Sequence, residues 1–261
     1  MIDLLDVEAR RYVARRMTRV LTLIAVIAIA LIAVLVFANA SDAPGEMPRA
    51  RELWKDGSDP GILDAFSLVW MLLSFIVGAS FVGAEWRAGV MTTLLTWEPR
   101  RARVFAAKAL VAGGLGGGLV ILLNVIVSLA LWPTFVFRGT TGGLDAEFWW
   151  GILGTLVRGG VVGATLALVG FAVASIGRNT AAALAGVLTY FIVIESILRG
   201  LRPGWSRWLL LDNLAIVSTG SSGAADTDFA SSLLGAAVIL AIWVGSLLAL
   251  AATAFIGRDV T

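Results

Sequence analysis

The chain has 261 residues, 59% hydrophobic and 15% charged, with a mean hydropathy of +0.90 and a formal net charge of +2; this is far from a soluble globular average and close to a multi-span membrane protein. It contains no cysteine and no histidine, which excludes disulfides, thiolate chemistry, an imidazole base for a serine or cysteine nucleophile, and a histidine-bearing zinc site. The basic residues gather at the ends of apolar runs, where membrane orientation accounts for them without nucleic acid.

The first element is an amphipathic helix over 1–19. Ile2, Leu5, Ala9, Val13 and Val20 fall on one face, with Asp3, Glu8, Arg10, Arg11 and Arg15 largely opposite. Acidic residues at its start and arginines at its end suit the helix dipole. It is either a basic flank that orients the first span or an interfacial helix that also touches a cytoplasmic partner.

The first apolar run, 20–38, ends in "ANAS" (Ala38 to Ser41), a pattern that signal peptidase favours. The run is longer than an ordinary signal core and follows a stretch holding Asp3, Asp6 and Glu8, so it reads as a retained span. Further spans are expected at 62–84, 105–137, 148–176, 180–198 and 231–256, giving six in all, each long enough for a hydrocarbon core of about 30 Å. The third and fourth are overlong, so tilt, kinks at glycines or interfacial extensions are expected.

Asp64, near the start of the second span, reads as a helix N-terminal charge. In the third span "GGLGGG" (Gly113 to Gly118) lacks the lysine of a phosphate loop, and no GxxxxGK[ST] motif occurs in the chain. Gly113 with Gly117, Gly114 with Gly118, and Gly159 with Gly163 have the spacing of close helix contacts. Arg158 lies inside the fourth span and Glu195 near the end of the fifth, at depths that permit an ion pair. The alternative is that Arg158 reaches outward and Glu195 pairs with Arg199. Over 199–230, an apolar stretch too short to span predicts a helix at 205–217 that lies on or dips into the outer leaflet, anchored by Trp205 and Trp208. "GSSGAADTD" then reads as a solvated loop. Trp132, Trp149 and Trp150 read as interface anchors.

Arginines and lysines divide unequally between the two sides. The 1–19 segment, the 85–104 loop, Lys108, Arg178 and Arg258 fall on one side; the other has fewer basic residues, most of them diluted by Asp and Glu. The positive-inside bias then sets both termini in the cytoplasm.

The 85–104 loop, "EWRAGVMTTLLTWEPRRARV", is charged and amphipathic. Trp86, Val90, Leu94 and Trp97 repeat at helical spacing with Met91 and Leu95 beside them, and Pro99 ends the helix near Trp97. Its apolar face needs either the lipid interface or a groove on a cytoplasmic protein.

A glutamate at a span end (Glu85), then Gly89, the Leu94 and Leu95 pair, Pro99, Arg101, Arg103 and Lys108 resemble the cytoplasmic loop of the ATP-binding-cassette type-2 permeases. Val90 stands where that family often has threonine. The N-terminal helix, the six spans and the partly embedded segment before the last resemble the same family across nearly the whole chain. The resemblance implies an all-α membrane protein with one permease domain over 1–261, sited in a bacterial cytoplasmic membrane. It implies a coupling helix docked on a separate ATPase subunit, present in two copies, and a second permease subunit, identical or different. Glu85, Arg87, Gly89, Leu94, Leu95, Pro99 and Arg101 would then carry force transmission. ATP and magnesium would bind the partner, with no cofactor on this chain. The implied cargo is amphipathic: a drug, lipid, peptide or glycan. The alternatives are a non-transporting membrane scaffold or immunity factor, and a lipid-modifying enzyme, for which no convergent set of catalytic side chains stands out. In this cysteine-free chain a thiol probe at Trp97→Cys is expected to react only from the cytoplasm, and one at Asp56→Cys only from the opposite side; the reverse result overturns the orientation.

Overall fold

A computed structural model describes residues 2–41, 47–56, 59–97, 100–220 and 232–257. Its helices are α1 (Ile2–Ala14), α2 (Arg16–Asn39), α3 (Ile62–Arg87), α4 (Val90–Trp97), α5 (Arg101–Phe137), α6 (Ala146–Gly177), α7 (Thr180–Thr189), α8 (Glu195–Leu201), α9 (Leu210–Thr219) and α10 (Leu233–Gly257). A wide π turn, Tyr190–Ile194, joins α7 to α8, so that Thr180–Leu201 runs as one span. Among the described residues six helices are long and apolar enough to cross a membrane: α2, α3, α5, α6, the α7–α8 unit and α10. Each contains, or nearly contains, a run expected from the sequence.

α6 is the centre of the bundle. Of its apolar window 72% is buried, against 11% for α2 and for α10, and it packs chiefly on α3 and α5. Lipid is as apolar as leucine, so helices in it associate by close packing rather than by the hydrophobic effect. The sequence answers with glycine. A Cβ at Gly78 would stand 2.3 Å from the Ala167 carbonyl oxygen, and one at Gly163 would stand 2.4 Å from Val120 Cγ2. Gly117 likewise approaches the Gly160 carbonyl, whereas Gly114 and Gly118 face open space. Of the three GxxxG spacings, Gly113 with Gly117 and Gly159 with Gly163 therefore serve contact within the chain, and Gly114 with Gly118 does not. The outer faces are the reverse: Leu23, Leu31, Val34 and Leu35 of α2 are all at least 60% exposed, an apolar surface suited to lipid rather than water.

α5 is 37 residues long, about 55 Å at 1.5 Å per residue, so its ends outrun a hydrocarbon core of about 30 Å. Its first two turns, Arg101 to Lys108, form the extension on the side of α1 and α4.

Three expectations change. The N-terminal helix stops at Ala14, and Arg15 is extended before α2 begins. Its inward face is also different: Glu8 and Tyr12 are buried, while Val13 and Val20 are exposed. The polar stripe goes inward because ionic partners await it there. The helix expected over 205–217 is broken at Leu209, between a 3-10 turn at Pro203–Trp208 and α9. α9 is not laid on a surface; Leu210, Leu214, Ile216 and Val217 are buried, and it packs against α10, α6 and α3. Trp205 and Trp208 remain more than half exposed. The stretch "GSSGAADTD" lies outside the described residues.

On the opposite side from α1, the 3-10 turn Ala50–Leu53 follows a segment bound to the α5–α6 loop: Ala50 N donates to the Thr140 carbonyl (3.1 Å) and Thr140 N to that of Pro48 (2.9 Å). Lys55–Asp56 and Asp59–Pro60 form a two-residue antiparallel pair before α3.

Gly78→Ala pushes a methyl into backbone and is expected to cost about 1–3 kcal/mol. Gly118→Ala meets nothing within 4 Å and is expected to be neutral or to stabilise by up to about 1 kcal/mol. Thermal unfolding of the detergent-solubilised protein checks both.

Candidate functional site

Lys108, two turns into α5, is wholly buried. An unpaired ammonium there would cost several kcal/mol of lost hydration. Two carboxylates meet it: Glu8 Oε2 of α1 at 2.7 Å and Glu85 Oε2 of α3 at 2.7 Å, with the Phe81 ring 4.9 Å from Nζ. Both carboxylates are themselves buried and take a second cation. Arg15 Nη2 lies 2.6 Å from Glu85 Oε1, and Arg11 Nη1 lies 3.2 Å from Glu8 Oε1. Arg15 Nη1 also donates to the Ser80 carbonyl at 3.0 Å, and its guanidinium lies over Phe81. Glu8, Glu85, Lys108 and Arg15 cancel in formal charge, and the half-exposed Arg11 closes the network toward solvent.

Helical phase brings these groups together. Glu8 and Tyr12 stand at i and i+4 on α1, and Phe81 and Glu85 at i and i+4 on α3, while Arg15 reaches in from the extended joint between α1 and α2. Tyr12 packs edge-on against Phe81 with ring centroids 5.1 Å apart. Burial pushes its phenol above the ordinary tyrosine range, so it stays neutral. Lysine suits the central position because its compact ammonium reaches two carboxylates at once, whereas a guanidinium needs a planar fork.

The 85–104 loop begins where this network ends, and its base is tied in four directions. Glu85 binds α5 through Lys108, and Arg15 at the α1–α2 joint. Arg87 Nη2 donates to Asn179 Oδ1 (3.2 Å) at the α6–α7 turn, and Arg101 Nη1 to the Ile256 carbonyl (3.2 Å) at the end of α10. Gly89 turns the chain at φ +66°, a left-handed conformation that glycine adopts without strain. Within α4, Met91 is buried and Leu94 packs on the main core, while Val90 and Thr93 are exposed. Part of the apolar face expected to need an outside partner is therefore covered by the chain itself. The side chains of Leu95 and Trp97, and all of Pro99, lie outside the described residues. Beside the network an open cleft of about 450 Å³ runs between α1 and the start of α4, lined by Arg11, Arg15, Glu85 and Val90.

Arg158 and Glu195 are not brought together. Glu195 is buried, and its carboxylate accepts from the amides of Leu210 (2.8 Å) and Leu211 (3.2 Å), capping the first turn of α9. Arg199 pairs with Asp212, so the alternative Glu195–Arg199 pair is absent too. Arg158 donates to the Ser218 carbonyl (3.1 Å) and Thr155 Oγ1 (2.9 Å), with Asp64 Oδ1 at 3.8 Å. Asp64 also accepts from Gly61 N (3.3 Å), capping the start of α3 from its first turn. Free amides of a helix start outcompeted a distant guanidinium for Glu195, and α9 folding inward supplied partners to both.

The sequence reading placed Glu85 in a functional stretch but set Glu8 on the polar, outward face. The signal available was Lys108 itself, one of only two lysines in the chain and the one that opens an apolar run.

Lys108→Met leaves two buried carboxylates facing each other and is expected to cost about 3–5 kcal/mol, read as a lowered melting temperature and faster amide exchange in α1. Asp6→Asn breaks only the exposed Arg10 pair and is expected to be near neutral. A scan against protein-family models finds no match for this chain, and a search of curated proteins finds none either.

Proposed function

We propose that this chain is the membrane subunit of an ATP-driven exporter of the type-2 permease kind, set in a bacterial cytoplasmic membrane with both termini inside. Two such subunits enclose the export path, and each receives force from a separate ATPase subunit through α4. The observation that carries this reading is the anchoring of the loop base. Glu85, Arg87 and Arg101 fasten it to the α1–α2 joint, α5, the α6–α7 turn and α10, so a push on α4 is delivered to several helices at once rather than absorbed by a slack loop. The cleft bounded by Arg11, Arg15 and Val90 offers a docking partner a polar rim beside an exposed apolar residue. Hydrolysis belongs to the partner, which binds ATP and magnesium, because the sequence has no phosphate loop. The cargo is an amphipathic molecule.

One observation favours a second reading, a membrane scaffold that transports nothing: Met91 and Leu94 turn inward, which leaves α4 a narrower apolar surface for an ATPase. Val90→Asp separates the two, since Val90 is 43% exposed and bears little on folding. In the complex purified with its ATPase, the exporter reading expects this change to cut assembly and ATP turnover by about tenfold, the equivalent of about 1.4 kcal/mol. Assembly and turnover that persist unchanged overturn it.

A further inference from the structure

A cleft of about 530 Å³ lies at the end of the bundle away from α1, between α2, α3, α5 and the turn that carries Ala50–Leu53. That volume is ordinary for a small-molecule site. Leu131 and Phe135 form its buried back wall, Val36 and Phe66 its sides, and Arg49 and Glu52 its polar lining. Val36 lies three residues before the end of α2, Phe66 four after the start of α3, and Phe135 two before the end of α5. At about 1.5 Å per residue all three sit within about 6 Å of their helix ends. Because those helices are long and apolar enough to cross a membrane, the cleft lies where phospholipid headgroups meet acyl chains.

The polar lining is held in place. Pro48 and Ala50 are hydrogen-bonded to Thr140, and a Cβ at Gly139 would stand 2.2 Å from the Pro48 carbonyl oxygen, so that the two strands of chain run in direct contact. Ala50 and Leu53 are buried beneath the turn. Of the other charged groups of this turn, Arg51 is already taken up by exposed pairs with Asp145 and Glu147, and Lys55 lies over the Trp54 ring, so neither is offered to the cleft. Arg49 and Glu52 have no ion-pair partner among the described residues. Arg49 precedes the 3-10 turn in extended conformation and Glu52 lies within it, and both line the cleft.

We propose that this cleft binds a zwitterionic phospholipid from the leaflet on that side, with one acyl chain against Phe66, Leu131 and Phe135. The lipid phosphate accepts from Arg49, and its ammonium donates to Glu52. Charge selects the occupant. An anionic lipid satisfies Arg49 but meets Glu52, and a non-ionic one leaves both unpaired next to an apolar wall. The proposal stands on the cleft and the helix ends and does not depend on the exporter reading.

Native mass spectrometry of the full chain in a non-ionic detergent tests it, with equal amounts of phosphatidylethanolamine and phosphatidylglycerol added. Phosphatidylethanolamine is expected to be retained in preference. Arg49→Gln and Glu52→Gln are each expected to reduce its retention about fivefold to tenfold, as one charge-assisted contact is lost. Val36→Trp, which fills the cleft from its open side, is expected to abolish retention, and Arg51→Gln to leave it unchanged. Thermal unfolding of each variant shows whether the fold is intact. Equal retention of the two lipids by the unaltered chain, or retention that survives Val36→Trp, or a loss with Arg51→Gln as large as that with Arg49→Gln, overturns the proposal.

Discussion

The ammonium of Lys108 has no access to water, and its neighbours are arranged around that fact. A buried cation is tolerable only when its counter-charges are close and themselves satisfied. Glu8 and Glu85 meet the first condition at 2.7 Å each, and Arg11 and Arg15 meet the second. Three segments far apart in sequence thereby become one mechanical unit: the N-terminal helix, the end of α3 and the start of α5. Hydrophobic packing alone would hold them less specifically, since apolar surfaces slide where a shared ammonium cannot.

Elsewhere the bundle is held by intimacy rather than charge. Gly78 and Gly163 let backbone and side chains of α3, α5 and α6 meet at distances a methyl group would forbid. In a lipid setting such contact substitutes for the missing hydrophobic drive between helices. α2 and α10, little covered by the rest of the chain, lie at its periphery. The bundle thus has a rigid centre of α3, α5 and α6, with more loosely held helices around it.

The spans were legible because length and apolar composition are local properties, and runs such as 62–84 and 148–176 need no tertiary information to be seen. Helical faces were less legible. The N-terminal helix was assigned by hydrophobic periodicity, which places Glu8 outward, but a glutamate turns inward when a lysine a hundred residues away can neutralise it. The same limit applies to Glu195 and Arg158. Their depth along the helices was readable and their partners were not, because the amides that hold Glu195 and the Ser218 carbonyl that holds Arg158 came from α9, a short segment whose inward fold depends on α6 and α10. Of the residues singled out in the 85–104 loop, only Glu85 reaches the Lys108 network among those whose side chains are described.

The wide turn at Tyr190–Ile194 divides the fifth span into two pieces with separate angular settings. An α-helix advances about 100° per residue, and a single residue taken up in a wider turn resets everything beyond it. Thr180–Thr189 is aligned by its fit to α6 and α3, while Glu195–Leu201 is aligned by a carboxylate that must face the amides of Leu210 and Leu211. The π turn works as a phase adjuster, so evolution can rotate one half of this rod to suit its neighbours without unseating the other.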